Sequence, residues 1–385
     1  MIYLNNCLTS KMDKKVIDAM IPYMKDKFYL PMTFVKEGEQ INNEIQNFKE
    51  IVGQYIGSKA SEIHFTSGGT SANNLAIKGF LTANSHKGNH IICSVIDYPD
   101  ILTNASFFED AGFEVSYLKC DELGFLSVKD LEEAIRDDTI LFMGTLVNHT
   151  VGSILPMEKI KKILKPKGIT VFVDGCEAFG KIELNVEEMG IDMMSISAHK
   201  LHGPKGVGAL FKRPGIALGQ IKHGIGRVDN LETGGVSVAA ICGFAKATQL
   251  AYSNDNINYI RSLRDYLHKQ ITEKISNTLM NSTISNRTSP HHLNISFDYI
   301  EGEAVMMMMS LKGILLATGS ACSSADLSMN YVLKAMGRTH VQSHGSVKFT
   351  LSRFNTKSQI DRVVSILKKV VSELRKRSPL TKQNI

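Results

Sequence analysis

From about Asn47 to Leu250 the sequence alternates short apolar runs with longer amphipathic stretches, and no other feature restricts the fold as much. Strand-like runs stand at His90–Val95, Glu114–Leu118, Thr139–Val147, Ile169–Val173, Met193–Ser197 and Val207–Phe211. Helix-like segments such as Val128–Arg136 and Met157–Leu164 lie between them. Repetition of strand and helix predicts an α/β fold, a doubly wound and mostly parallel sheet with helices on both faces. Ligands of such sheets sit beyond the carboxyl ends of the strands. The polar residues that follow each apolar run are therefore the candidates for chemistry.

Past Asn254 the pattern changes. Ile257–Ser276 reads as a long helix, a polar loop follows around Ser285–His292, and strand-like pieces stand at His292–Phe297 and Val347–Leu351. Thr356 with Gln359 three residues on is a capping box. Behind it Ile360, Val363, Val364, Leu367, Val370, Val371 and Leu374 recur at helical spacing. The run Met306–Met309 reads as helix core. With roughly 150 residues per domain, 385 residues allow two or three. The expectation is a large domain over residues 16–254 and a smaller α+β domain made of residues 1–15 and 255–385, ending in a basic tail.

Composition removes several function classes. Hydrophobic residues at 43% and charged residues at 21% exclude a mainly disordered chain. The net charge is +6, but Asp361–Ile385 alone carries seven basic residues against two acidic ones, leaving the rest close to neutral. Direct nucleic-acid binding needs a basic folded face and is not expected. Six scattered cysteines without a CxxC pair argue against a disulfide framework or a zinc site. The N-terminus turns polar within a few residues, and no run approaches the ~18 apolar residues of a membrane span. The expectation is a reduced, cytoplasmic protein.

Four strand ends carry the chemistry. The run Met193–Ser197 continues as Ala198-His199-Lys200 and a glycine-rich turn, Gly203-Pro204-Lys205-Gly206. A lysine held where its ammonium loses water can form a Schiff base, although an isolated His-Lys pair is more often a surface loop. Ile169–Val173 ends at Asp174, a carboxylate able to pair with the protonated pyridine nitrogen of pyridoxal phosphate, or a plain helix cap. Thr139–Val147 ends at Asn148, an amide able to bind a phenolic oxygen, or a turn residue. Phe65-Thr66-Ser67-Gly68-Gly69-Thr70 precedes the helical run Ala72–Phe80 and suits a phosphate at a helix N-terminus. The four together say far more than any one alone.

A further site lies at Ala317-Thr318-Gly319-Ser320-Ala321-Cys322-Ser323-Ser324-Ala325. A cysteine among Gly, Ser and Ala suits a reactive thiol, whereas Cys93 and Cys242 sit in apolar runs and read as structural. Arg353, at the end of Val347–Leu351, is able to clamp a carboxylate in two-point fashion, or to form a surface salt bridge.

In this order these residues resemble the NifS/IscS-type cysteine desulfurases of the class V aminotransferase family, over nearly the whole chain from Tyr3 to Leu374. FTSGGTSANNLAIKG resembles the phosphate-binding turn, SAHKLHGPKGVGALF the cofactor-lysine motif, and TGSACSSADLSMNYVLKAMG the catalytic-cysteine loop. The resemblance implies the pyridoxal-phosphate transferase fold of type I and removal of sulfur from L-cysteine. Lys200 then holds the cofactor and moves protons, and Asp174 pairs with the ring nitrogen. Thr70, Ser197 and His199, with backbone of Gly69, bind the phosphate. Asn148 contacts the ring oxygen and, with Arg353, the substrate carboxylate. Cys322 takes the sulfur as a persulfide and leaves alanine. A homodimer and a sulfur-acceptor protein are implied too; the acceptor would be an iron–sulfur scaffold or a tRNA-thiolation or cofactor-biosynthesis protein.

The chain also departs from the family. Asp97-Tyr98-Pro99 stands where a histidine usually stacks on the cofactor ring, a place Tyr98 can take. Glu177 occupies a position usually held by glutamine, where a carboxylate repels a phenolate unless one is protonated. Asn5-Asn6-Cys7-Leu8 replaces a DNAA-like opening. Leu231-Glu232-Thr233-Gly234-Gly235 replaces the RSGT-like segment that reaches the partner subunit's phosphate. Two other readings therefore stand beside desulfuration: a related pyridoxal-phosphate enzyme acting on another amino acid, such as a C–S or selenocysteine lyase or an aminotransferase, and a weakly catalytic scaffold.

Overall fold

The computed structural model describes residues 1–31, 33–224, 231–252, 254–318 and 329–379. Among them β1 (Ile2–Tyr3), β2 (Ile63–Thr66), β3 (His90–Ser94), β4 (Glu114–Leu118), β5 (Thr139–Thr145), β6 (Thr170–Asp174) and β7 (Met193–Ser197) come first. Then follow β8 (Gly208–Lys212), β9 (Thr278–Met280), β10 (His292–Phe297), β11 (Ile314–Leu315), β12 (Ala317–Thr318) and β13 (Ser346–Thr350).

Seven strands form one sheet in the order β2-β8-β7-β6-β5-β3-β4. Only β8 runs against its neighbours; the other pairs are parallel. Successive residues point to opposite faces of a strand, so both faces of a covered sheet need apolar side chains. Ile91, Leu141, Met143, Phe172 and Met193 join one core with the helices Gly69–Asn84 and Pro99–Asp110. Their chain neighbours Ile92, Phe142, Val171, Val173 and Met194 join the other, with the helices Lys36–Gln54, Met157–Leu164 and Val238–Ala251. This two-sided burial makes the strand segments read as unbroken apolar runs. Each fully buried side chain of this kind contributes about 1.5–3 kcal/mol.

The chain steps outward from β3 to the edge strand β4, then returns to lay β5 on the other side of β3. That reversal opens a crevice at the carboxyl ends of β3 and β5, the place where doubly wound sheets bind ligands. The carboxyl ends of β2, β6 and β7 lie on the same side of the sheet.

A second sheet, β12-β13-β10-β9, is antiparallel throughout. Its core joins Leu293, Ile295, Phe297, Val347 and Phe349 to the helices Asn254–Lys274, Gly302–Leu311 and Lys357–Arg377. Ile2 and Leu4 also bury themselves there, and β1 pairs with β11. The expected capping box is formed: Gln359 N–H donates to Thr356 Oγ1 at 3.2 Å, and Thr356 N–H to Gln359 Oε1 at 3.3 Å. Met309 is fully buried in this core, Met306 and Met308 pack on it, and Met307 is exposed. Among the described residues no helix is long and apolar enough to cross a membrane.

Candidate active site

Lys200 lies at the end of a single 3-10 turn, Ala198–Lys200, which follows β7 directly. Its side chain is buried, and Nζ stands 2.7 Å from Glu177 Oε1. The ammonium also faces the ring of Tyr98, 5.1 Å from its centroid. Burial alone would lower the pKa of this amine, but Glu177 and the nearby Tyr98, Cys176 and Asp174 outweigh it and hold the pKa well above the usual lysine range. Two residues on, His202 adopts a left-handed backbone (φ 68°), fixed by Ser10 Oγ on its N–H and by Lys11 carbonyl on its ring. The lysine is thus presented from a constrained turn.

Glu177 is as buried as Lys200. Its second oxygen meets Lys181 Nζ at 2.9 Å and His291 Nε2 at 3.4 Å. Burial would raise this carboxyl, yet Lys181 and Lys200 hold it well below the usual range. The repulsion expected between Glu177 and a phenolate is therefore offset by two ammonium groups. Ligand atoms of Glu177, His291 and His292 lie within 4.8 Å of one another. Both carboxylate oxygens already hold ammonium groups, so this cluster is an ion network.

Asp174 closes β6. Its Oδ1 accepts from Cys176 N–H at 2.9 Å and its Oδ2 from Asn73 Nδ2 at 2.8 Å. The first turn of the helix Gly69–Asn84 lies beside it. Gly68 holds φ 153° with ψ −179°, a region reserved in practice for glycine, and a Cβ on Gly69 would stand 2.5 Å from Cys176 Sγ. The turn therefore needs both glycines. Its first N–H groups have no partner within the helix and are available to an anion. Ser197 Oγ, buried at the same place, has no hydrogen-bond partner among the described residues. His199 touches Thr9 Oγ1 at 3.2 Å, and burial with the neighbouring Lys200 lowers its pKa to about 4.

Two recesses with shared lining residues result. An open one of about 810 Å³ is lined by Gly68, Gly69, Thr70, Ser197, His199 and Lys222. A narrow one of about 60 Å³ shares Gly69, Thr70, Ser197 and His199, and adds Asn73, Tyr98, Asp174 and Lys200. Glu232, in the segment that departs from the RSGT pattern, meets Lys222 Nζ at 2.9 Å and accepts from Ser71 Oγ at 3.1 Å at this rim.

Other expected residues lie elsewhere. Asn148 is buried but lines a separate recess with Asp97, Thr145 and Ser153. Its Oδ1 accepts from Thr150 and Val151 N–H, and its Nδ2 donates to Ile96 carbonyl at 2.8 Å, which ties β3 to β5 at the crevice. Arg353 shares a small recess with Lys200, on the side of Lys181 and His291, and its Nη2 pairs with Asp13 Oδ2 at 2.7 Å. Cys322 lies outside the described residues. Cys93 and Cys242 are buried, as their apolar surroundings predict.

The sequence reading missed several partners. Asn73 orients Asp174, Lys181 and His291 complete the network of Glu177, and His149 meets the Tyr98 ring edge-on at 5.2 Å. Tyr331 Oη donates to Asp97 carbonyl at 2.6 Å, next in the chain to Tyr98. The one local signal was Lys181, four residues beyond Glu177.

Known proteins are similar to this chain over nearly its whole length. The family model for class V aminotransferases matches residues 2–363. A cysteine desulfurase IscS from Dictyoglomus turgidum is 39% identical over 380 residues, 98% of this chain and 96% of that protein. One from Methanosarcina thermophila is 37% identical over 382 residues, 99% of this chain and 94% of that protein. Among solved structures, a NifS-like protein superposes with a TM-score of 0.91 at 28% identity, covering 97% of this chain and all of that one. A structure described as SspA in complex with cysteine gives 0.82 at 29% identity, covering 92% of this chain and all of that one.

Proposed function

The chain belongs to the class V aminotransferase family, and on that premise we propose that it is a pyridoxal-phosphate-dependent cysteine desulfurase. It takes sulfur from L-cysteine, leaves L-alanine and carries the sulfur as a persulfide on Cys322. One observation carries the reading: a buried lysine amine between an oriented carboxylate, Asp174, and a glycine turn with free N–H donors.

The donors fit the cofactor. Ser197 Oγ is buried without a partner among the described residues, and the two glycines leave room for a phosphate against the helix N-terminus. Thr70, Ser197, His199 and the backbone of Gly69 would hold the phosphate, and Asp174 the ring nitrogen. Tyr98 would cover the ring, with Asn148 and Glu177 assigned to its oxygen side. Bound there, the cofactor withdraws electrons from the α-carbon of the substrate.

The side chains do the rest. Lys200 accepts and returns the proton at Nζ. Asn73 and the Cys176 N–H keep the Asp174 carboxylate in one orientation. His199, neutral at pH 7, donates one N–H. Arg353 exchanges Asp13 for the substrate carboxylate, a bidentate match, and Asn148 would join it by giving up its bond to Ile96 carbonyl. The Cys322 thiolate attacks the substrate sulfur: an S–S bond forms, the carbon–sulfur bond breaks, and its electron pair stays on carbon, where a proton completes alanine. The role of Cys322 rests on the likeness of its loop to the family's.

Protein loaded with pyridoxal phosphate and given L-cysteine with a thiol reductant is expected to release sulfide and alanine in equal amounts. Alanine without sulfide, or neither, would overturn the reading.

Further assignments follow. The division into residues 16–254 and residues 1–15 with 255–385 is supported by the separate cores around the two sheets. A homodimer is supported by exposed apolar side chains at Met24, Phe28, Leu30 and Phe34. The sulfur acceptor is a protein of iron–sulfur cluster assembly or of tRNA or cofactor thiolation. A cytoplasmic location follows from the thiol chemistry.

A further inference from the structure

The network around Glu177 has more charge than an ion pair needs. One buried carboxylate stands between two buried ammonium groups, Lys200 at 2.7 Å and Lys181 at 2.9 Å. Away from water each of these charges acts strongly on the other two. The carboxylate stabilises the protonated form of Lys200, while Lys181 draws part of that negative charge to itself.

We propose that Glu177 is a positioning residue that sets the proton affinity of Lys200, with Lys181 as its counterweight. The proposal rests on Lys200 being the cofactor lysine. It gives this chain an internal acid–base partner at a site where Tyr98 stands in place of a histidine.

The surroundings name the groups that share in this balance. Lys200 faces Glu177, Asp174 and Cys176 from the end of β6, Tyr98 from the end of β3, His149 from the end of β5, and His199 beside it. Arg353 lines the recess on its other side. Glu177 faces Lys181 on its own turn and His291 with His292 at the start of β10. Burial keeps the three histidines His149, His291 and His292 neutral at pH 7, so they add dipoles and no charge. With the histidines neutral and Asp174 assigned to the ring nitrogen, the charges left to test are Glu177, beside Nζ, and Lys181 behind it.

Removing either one moves the same titration in opposite directions. Without the carboxylate, two buried ammonium groups repel and Lys200 gives up its proton more readily. Without Lys181, the whole negative charge of Glu177 acts on Lys200. A salt bridge of purely structural value would cost stability in both variants and shift no titration.

The test is a pH titration of the visible absorbance of the Lys200–cofactor linkage in the loaded protein, read beside a thermal melt. Glu177→Gln is expected to lower the apparent pKa by about one unit or more, ~tenfold in proton affinity, and Lys181→Met to raise it. Titrations that coincide with the parent protein, or that move in the same direction, overturn the proposal. If Glu177→Gln does not fold, Lys181→Met decides alone: an upward shift supports the proposal and no shift overturns it. A parent protein whose absorbance survives Lys200→Ala overturns the cofactor assignment itself, and this proposal with it.

Discussion

Asn73, on the second turn of the helix Gly69–Asn84, donates to Oδ2 of Asp174 at 2.8 Å, although 101 residues separate the two. The same amide reaches Asp100 Oδ2 at 3.1 Å. One side chain thus fixes the carboxylate at the end of β6 against the helix that offers its N-terminus to the phosphate. A hydrogen bond to a charged group contributes about 1.5–3 kcal/mol. Asn73→Ala is expected to weaken cofactor binding about tenfold to hundredfold in an absorbance titration. Unchanged affinity would show that the Cys176 N–H alone orients Asp174.

Ser197 separates the phosphate from the rest of the cofactor. Its buried Oγ has no partner among the described residues, so a phosphate would satisfy it. Ser197→Ala is expected to weaken pyridoxal phosphate about tenfold and to leave the affinity for pyridoxal unchanged. Equal losses for both ligands would place Ser197 away from the phosphate. Gly69→Ala, with its Cβ 2.5 Å from Cys176 Sγ, is expected to abolish binding of both.

How stability varies with pH follows from buried imidazoles and one buried carboxyl. Burial first, then Lys348 for His149 and Lys181 for His291, lowers both imidazoles to about 3. The folded value lies below that of the unfolded chain, so this stability is complete above pH ~6.5 and is lost as pH falls below it. From pH ~7.5 to ~5.5 the two together lose about 3 kcal/mol. Asp97 opposes them: burial raises its carboxyl to about 6, above the unfolded value, so protonation favours the fold. That returns about 1 kcal/mol over the same interval. The histidines win, the more so because His199, His202 and His292 are lowered in the same direction, and urea unfolding should show at least about 2 kcal/mol less stability at pH ~5.5. Equal or greater stability there would contradict the burial of these rings as neutral groups.

What could be read in the sequence was what depends on neighbours along the chain. Glu114–Leu118, Met193–Ser197 and His292–Phe297 are strands with the expected ends; Met193–Ser197 and His292–Phe297 are buried along their whole length, whereas Glu114–Leu118 is an edge strand in which only Leu118 is buried. Ile169–Val173 moves by one residue to Thr170–Asp174, since the ladder with Thr145 draws Asp174 into the strand. The helix expected from Ala72 begins at Gly69, because a phosphate-binding first turn is made of glycine and hydroxyl residues that favour no helix by themselves. Two-residue strands such as β1 and β12 gave no periodic signal. Asn73 with Asp174, His291 with Glu177 and Arg353 with Asp13 meet only through the fold. Residue types were legible at the strand ends; the partners that orient them were not.

The most direct measurement compares the loaded protein with its Cys322→Ala variant, given L-cysteine and a reductant, while sulfide, alanine and protein-bound persulfide are followed together. The account predicts that the parent protein forms persulfide and releases alanine with sulfide. The variant should bind the cofactor normally, form no persulfide and lose both products. Alanine formed at the same rate with and without Cys322 would contradict sulfur transfer through that thiol.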